Sequence, residues 1–136
     1  MWHIVLSILS YDIWFYLSHI FLHRVLFDLH RIHHAANAEE LRWTDTYRSH
    51  PVEDILQGVG AFFPFFIYTY TVVDAGIIVL FLNVRGMIRH DARLGGHHVL
   101  HHQHPSYNYG EYWIDWLCGS LYDNHVVPST RASIDG

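Results

Sequence analysis

No lysine occurs in this sequence, cysteine occurs once, and charge of either sign is scarce, at 15% of 136 residues. Without lysine the basic complement is 8 arginines against 13 acids, for a net charge of -5. The clustered basic face that marks a nucleic-acid-binding protein is therefore missing, and no nucleic acid is expected as a partner. Cys118 has no second cysteine to pair with, so an internal disulfide is excluded, and no C-x-x-C pair points to a thiolate metal site. A soluble globular domain carries roughly 25% charged residues. Here hydrophobic residues reach 51% and aromatics 16%, a shift that points to a lipid environment. The length fits a single domain over residues 1–136, with no fixed-period repeat and no low-complexity tract.

The apolar residues fall in two blocks. Trp2 to Phe27 is almost continuously apolar, interrupted by Asp12 and His19, and is close to the ~20 residues that cross a bilayer core. It lacks the basic start and small-residue cleavage site of a signal peptide, so it reads as a retained span. A polar stretch from His30 to Asp54 follows. The second block, Ile55 to Met87, contains Gly58, Gly60, Pro64, Asp74 and Gly76. As one helix it would run roughly 50 Å, far beyond a crossing of about 30 Å. It is expected to fold as a helical hairpin turning near Tyr70 to Gly76, with Asp74 and Gly76 supplying the break. Arg24 closes the first block and Arg31, Arg42 and Arg48 follow it, while Arg85 closes the second and Arg89 and Arg93 follow it, which puts both polar segments on the cytoplasmic face.

Histidine is the anomaly, with 14 copies. His19 and His23 form H-x-x-x-H. His30, His33 and His34 form H-x-x-H-H, as do His98, His101 and His102, preceded by His97; His90 stands shortly before them. Imidazole is a good ligand for first-row metals, and positions three or four apart share a helix face. Asp12, Tyr16, His19, His23, His30, His33 and His34 all fall within roughly 100° of one helix face. On a straight helix, however, His19 and His34 would lie about 22 Å apart, too far for one metal site. A break between His23 and His30 is expected. Asp12, an acid at membrane depth, is the candidate for orienting a ligand imidazole, with Tyr16 one turn on. His3, His50, His104 and His125 stand outside the clusters and are expected not to be ligands.

The three boxes in this order resemble the fatty acid hydroxylase and sterol desaturase superfamily, over about residues 12–120. His50-Pro51 with Glu53, His90-Asp91, Asn108-Tyr109-Gly110 and Asp115-Trp116-Leu117-Cys118-Gly119-Ser120 add to the likeness. The resemblance implies an all-α, membrane-embedded, multi-pass protein with one N-terminal span, a short hairpin and cytoplasmic helices carrying the histidine boxes. It implies two metal ions, iron, with zinc as the alternative in isolated protein, held by His19, His23, His30, His33, His34, His90, His98, His101 and His102, with His97 as a tenth. The implied reaction is O2-dependent hydroxylation or desaturation of a lipid, supplied with electrons by cytochrome b5 or a ferredoxin-type reductase. A substrate tunnel is expected between the first span and the hairpin, beside Phe62, Phe63, Phe65, Phe66, Tyr68 and Tyr70. The chain departs from the family pattern in having no second histidine paired with His90 and in Ile114 where the family has tryptophan. It starts close to the first box, as a minimal or truncated member would. The alternative reading is a non-catalytic membrane metal-binding protein, an inactive truncated relative.

Overall fold

The computed structural model describes residues 2–94 and 96–122. Six α-helices joined by tight helical turns make up the described residues, with no β-strand among them. They are α1 (Trp2–Val25), α2 (Phe27–His30), α3 (Pro51–Gly58), α4 (Val72–Arg89), α5 (His97–Gln103) and α6 (Tyr112–Cys118). The expected all-α class is what the chain adopts.

No glycine or proline falls between Trp2 and Val25, so nothing interrupts the hydrogen-bond ladder of α1. Its 24 residues give about 36 Å. Among the described residues it is the one helix long and apolar enough to cross a bilayer, by length and composition. It stops at Leu26, whose φ of -119° and ψ of 35° leave the helical region before α2 resumes at Phe27. This is the break expected between His23 and His30.

The second apolar block folds back as a hairpin. Its first leg is α3 followed by a tighter turn-like stretch, Val59–Phe66, that contains Pro64. The imidazole of His50 caps α3, its Nδ1 accepting from the N–H of Val52 at 3.2 Å, and Pro51 occupies the first turn. The hairpin turns at residues 67–71, slightly earlier than expected. Asp74 and Gly76 do not break the chain but lie inside α4. The Asp74 carboxylate accepts from the Thr71 N–H at 2.9 Å while Thr71 Oγ accepts from the Asp74 N–H at 3.1 Å, a reciprocal cap. An acid one turn into a helix favours its start there.

Both legs pack on α1. A Cβ on Gly60 would lie 2.4 Å from Trp14 Cβ, so only glycine allows this approach. Ser10 Oγ donates to the Gly60 carbonyl at 2.8 Å and Trp14 Nε1 to the Leu56 carbonyl at 2.5 Å. On the other side, Arg85 of α4 bonds the Asp12 carboxylate, and Arg89 donates to Glu111 at 2.9 Å. Leu41 and Ala92 meet through a backbone bond of 3.0 Å, which joins the polar segments before and after the hairpin.

The burial pattern is inverted relative to a soluble domain. Of the eleven largest fully buried side chains only Leu22, Leu41 and Ile78 are apolar; the others include His19, His30, His98, His101, Glu53, Asn108 and Asp115. The outer faces of α1 and the hairpin expose Leu9, Ile13, Leu17, Phe66, Val73 and Leu80. Polar groups inside and apolar ones outside suit a solvent of hydrocarbon.

Candidate metal centre

The breaks and turns of the fold carry nine of the fourteen histidines to one end of α1. Two adjoining groups form: His19, His23, His30, His34 and His101, and then His33, His90, His98 and His102. Within each group one nitrogen per residue lies within 4.8 Å of all the others. The Leu26 break makes the first group possible by folding His30 back beside His19. α5 then contributes to both groups, since His98 and His102 share one face and His101 lies on the next.

The second nitrogen of most of these rings is tied to an acceptor. Nδ1 of His19 donates to the Tyr109 carbonyl (2.5 Å), that of His101 to Tyr107 (2.6 Å), that of His90 to Gly86 (2.8 Å) and that of His33 to Arg48 (3.2 Å). His30 Nδ1 donates to the buried carboxylate of Glu53 at 2.8 Å. A carbonyl or carboxylate oxygen can only accept, so the ring proton of a neutral imidazole sits on Nδ1, and Nε2 carries a lone pair. Nε2 of His19 then faces Nε2 of His30 at 3.0 Å, and Nε2 of His33 faces that of His90 at 3.0 Å. Two lone pairs at that distance repel rather than bond. A cation between them removes the conflict, and the neutral nitrogen donors suit iron, zinc or another first-row metal. His98 and His102 add buried ring nitrogens with no hydrogen-bond partner at all. The residues therefore fit a metal at each group.

Electrostatics favour the same neutral rings. Burial, and then neighbouring imidazoles, hold His33, His98 and His101 well below the usual histidine range. The same causes push His34 down to about 2 and His102 to about 3. Burial lowers His90 to about 4. Unprotonated imidazole is the form that binds metal.

The other residues singled out in the sequence lie elsewhere. His97 falls outside both groups, its Nε2 donating to Asp115 Oδ2 at 2.9 Å. Asp12, expected to orient an imidazole, instead pairs with Arg85 and accepts from Trp113 Nε1 at 3.3 Å. Its partner Arg85 reaches the same buried end of α4 as Arg89, so the acid meets a cation before it can meet a ring. Tyr16 bonds Ser120 Oγ at 3.0 Å and sets its ring edge-on to Tyr109. His3 pairs with Asp74 at 3.2 Å, His50 caps α3, and His104 is exposed beside Tyr122. His125 lies outside the described residues.

Sequence reasoning left the acceptors unassigned. Glu53 was visible as part of a motif, but four of the five acceptors are backbone carbonyls, which no residue type announces. Asp115 holds one of those carbonyls, that of Tyr109, in place by accepting from the N–H groups on either side of it, Tyr109 (2.9 Å) and Gly110 (2.8 Å). Asn108 adds a left-handed turn (φ 56°) that its side chain stabilises by accepting from the Tyr122 N–H at 2.6 Å.

A cavity of about 330 Å³ opens beside the second group. His33 and His90 line its inner end, Phe15, Ala61, Phe62, Val79 and Leu82 its apolar walls, and Gln57, Asn83 and Tyr47 a polar part. It lies between α1 and the hairpin as expected, but of the six aromatics named above only Phe62 lines it. Phe63 packs on Trp14, and Phe65 stacks on Tyr70.

A helical frame with an apolar exterior, histidines gathered at one end and a cavity reaching them define an all-α protein with one candidate membrane span and a candidate metal centre. The chain belongs to the fatty acid hydroxylase family, whose model matches residues 4–120. It is also similar to the putative Delta(7)-sterol-C5(6)-desaturase 2 of Arabidopsis thaliana, at 28% identity over 133 residues, covering 88% of this chain and 48% of that protein. The chain thus spans about half the length of that curated relative. No solved structure matches it.

Proposed function

We propose that the protein is an O2-dependent lipid hydroxylase or desaturase with a dimetal centre, iron in the working enzyme. The observation that carries this is the set of Nε2 lone pairs facing one another at 3.0 Å in two adjoining groups. His19, His23, His30, His34 and His101 would hold one metal, and His33, His90, His98 and His102 the other. When bound, two irons supply reductive activation of dioxygen and removal of hydrogen from an unactivated C–H bond.

The chain's own residues do the rest. Tyr109, Tyr107, Gly86, Arg48 and Glu53 orient the rings, which fixes ligand geometry and basicity. Phe15, Ala61 and Phe62 exclude water from the lipid side. The group with four donors borders the cavity, which supports approach of the substrate from that side. The sequence has no GxGxxG dinucleotide fingerprint, so electrons are assigned to an external donor of the cytochrome b5 or ferredoxin-reductase type. The site is assigned to the cytoplasmic face of a multi-pass membrane protein, from arginine placement.

Oxygen uptake by the lipid-reconstituted protein, with a reductant and a lipid extract, tests this alongside metal content. His102→Ala is expected to lose turnover and metal while keeping its helical circular dichroism, and His97→Ala to keep the wild-type metal stoichiometry. A fully metal-loaded protein that never consumes O2 would sink the oxygenase reading.

A further inference from the structure

The cavity beside the second histidine group is graded from polar to apolar. On α4 its lining passes from His90 through Asn83 to Leu82 and Val79. On the first hairpin leg it passes from Asp54 and Gln57 to Ala61 and Phe62. The two walls agree, with polar residues toward the histidines and apolar ones away from them. Val79 is eleven residues from His90, about 16 Å along the helix. A lipid with one polar end fits this slot with that end inward and its hydrocarbon outward. The reverse orientation would press hydrocarbon against Asp54 and Gln57 and strip water from them without replacement.

The charges along the walls sort the polar ends that can enter. Arg89, the one arginine lining the cavity among the described residues, is already committed: it donates to Glu111 at 2.9 Å, and its guanidinium lies 4.5 Å from the centre of the Phe15 ring. Glu53 and Asp54 also line the cavity, the first accepting from His30 at 2.8 Å and the second from Ser49 Oγ. A carboxylate or phosphate end would therefore meet two acids and no uncommitted arginine, and would give up its water for nothing.

Two neutral groups are left over. Asn83 is occupied, its Oδ1 accepting from the Tyr47 O–H at 3.2 Å and its Nδ2 donating to the Val79 carbonyl at 2.8 Å. The side chains of Gln57 and Thr46, by contrast, make no hydrogen bond among the described residues. A Cβ on Gly86 would lie 2.9 Å from Thr46 Oγ1, which sets that hydroxyl beside a residue one turn before His90. An amide and a hydroxyl offer donors and acceptors without charge, as an alcohol requires, and a few such groups on an apolar wall fix a ligand's orientation.

We propose that the cavity selects an uncharged lipid alcohol, bound hydroxyl inward by Gln57 and Thr46, with Gln57 as the specificity-determining residue. The carbons next to the hydroxyl then lie nearest the four-donor group, and the tail runs out past Phe62 and Val79. This rests on the oxygenase reading for its chemistry and deepens it by naming the substrate class.

The test is equilibrium binding of radiolabelled lipids to the full chain in nanodiscs, corrected for partition into empty discs. O2 and reductant are left out, so that no turnover intervenes. Two pairs of probes differ in the polar end alone, hexadecanol with hexadecanoate and cholesterol with cholesterol sulfate; hexadecane has no polar end. In at least one pair the alcohol is expected to bind at least about tenfold tighter than its anion, on the scale of one hydrogen bond. Gln57→Leu is expected to weaken that alcohol about tenfold, with hexadecane binding and helical circular dichroism unchanged. Anions that bind as tightly as the alcohols in both pairs overturn the inference, as does a Gln57→Leu chain that keeps its full affinity for the alcohol. It also falls if no probe binds. Oxygen uptake with the preferred alcohol, measured separately, reports on the oxygenase reading: selective binding without uptake sinks that reading and leaves the alcohol preference, and uptake with unselective binding does the reverse.

Discussion

Glu53 shows how much one side chain carries at this site. It is 1% exposed, sits one turn into α3, and spends a buried carboxylate on the far nitrogen of His30. Glu53→Gln keeps the volume and offers only a neutral oxygen, so His30 loses a charge-assisted partner and becomes a poorer ligand. Metal affinity is expected to fall about 10–100-fold, as measured by chelator competition, with helicity retained. Unchanged affinity would show that His30 is oriented by something else. The contrast with His97 is instructive at the same scale. His97 and His98 are neighbours in sequence, yet a 100° step on α5 sends one ring to Asp115 and the other into the second histidine group. Spacing alone admitted both.

At the scale of elements, the close contact between α1 and the first hairpin leg depends on Gly60. Gly60→Val would drive a branched side chain into Trp14, and overpacking of this kind costs about 1–3 kcal/mol. The expected result is a lower Tm in detergent by circular dichroism, together with a weakened Trp14–Leu56 bond; an unchanged Tm would mean that the helices separate freely. Elements were the level at which the sequence was most legible. The uninterrupted apolar run of α1, the excess length of the second block and the need for the histidines to meet dictated a helix of spanning length, a hairpin and a break, because each follows from counting residues against helix rise. The turn was misplaced because Asp74 reads as a chain breaker by composition and acts as a cap by position. Asp12 was misread for a related reason. Its partner Arg85 is 73 residues away, and an acid in an apolar run does not disclose which distant cation it meets. The carbonyls that orient the rings were illegible altogether, since backbone acceptors depend on loop geometry.

For the whole molecule, the joint between Leu41 and Ala92 holds the segments on either side of the hairpin together. Arg42→Cys and Arg93→Cys, each in a Cys118→Ser background, are expected to react with an impermeant maleimide from the same side of sealed vesicles. Labelling from opposite sides would refute the hairpin. The metal-free protein should also be acid-sensitive. His34 and His102, held at about 2 and about 3, stay neutral in the folded chain where unfolded histidines, with pKa about 6.5, take up protons. The unfolded state binds more protons in that window, so stability falls as pH drops from about 6.5 toward about 3. Thermal melts of chelator-stripped protein across this range check it, and a Tm that rises on acidification would contradict it. The imidazoles that face one another at 3.0 Å give the empty protein a reason to loosen at neutral pH as well. A bound ion would relieve that repulsion, so on the proposed function metal uptake closes the fold as well as arming it. In a cell, ion supply would then act as a checkpoint on maturation. Chains that fail to collect their ions would remain slack at the histidine end, where proteases can tell them from finished ones.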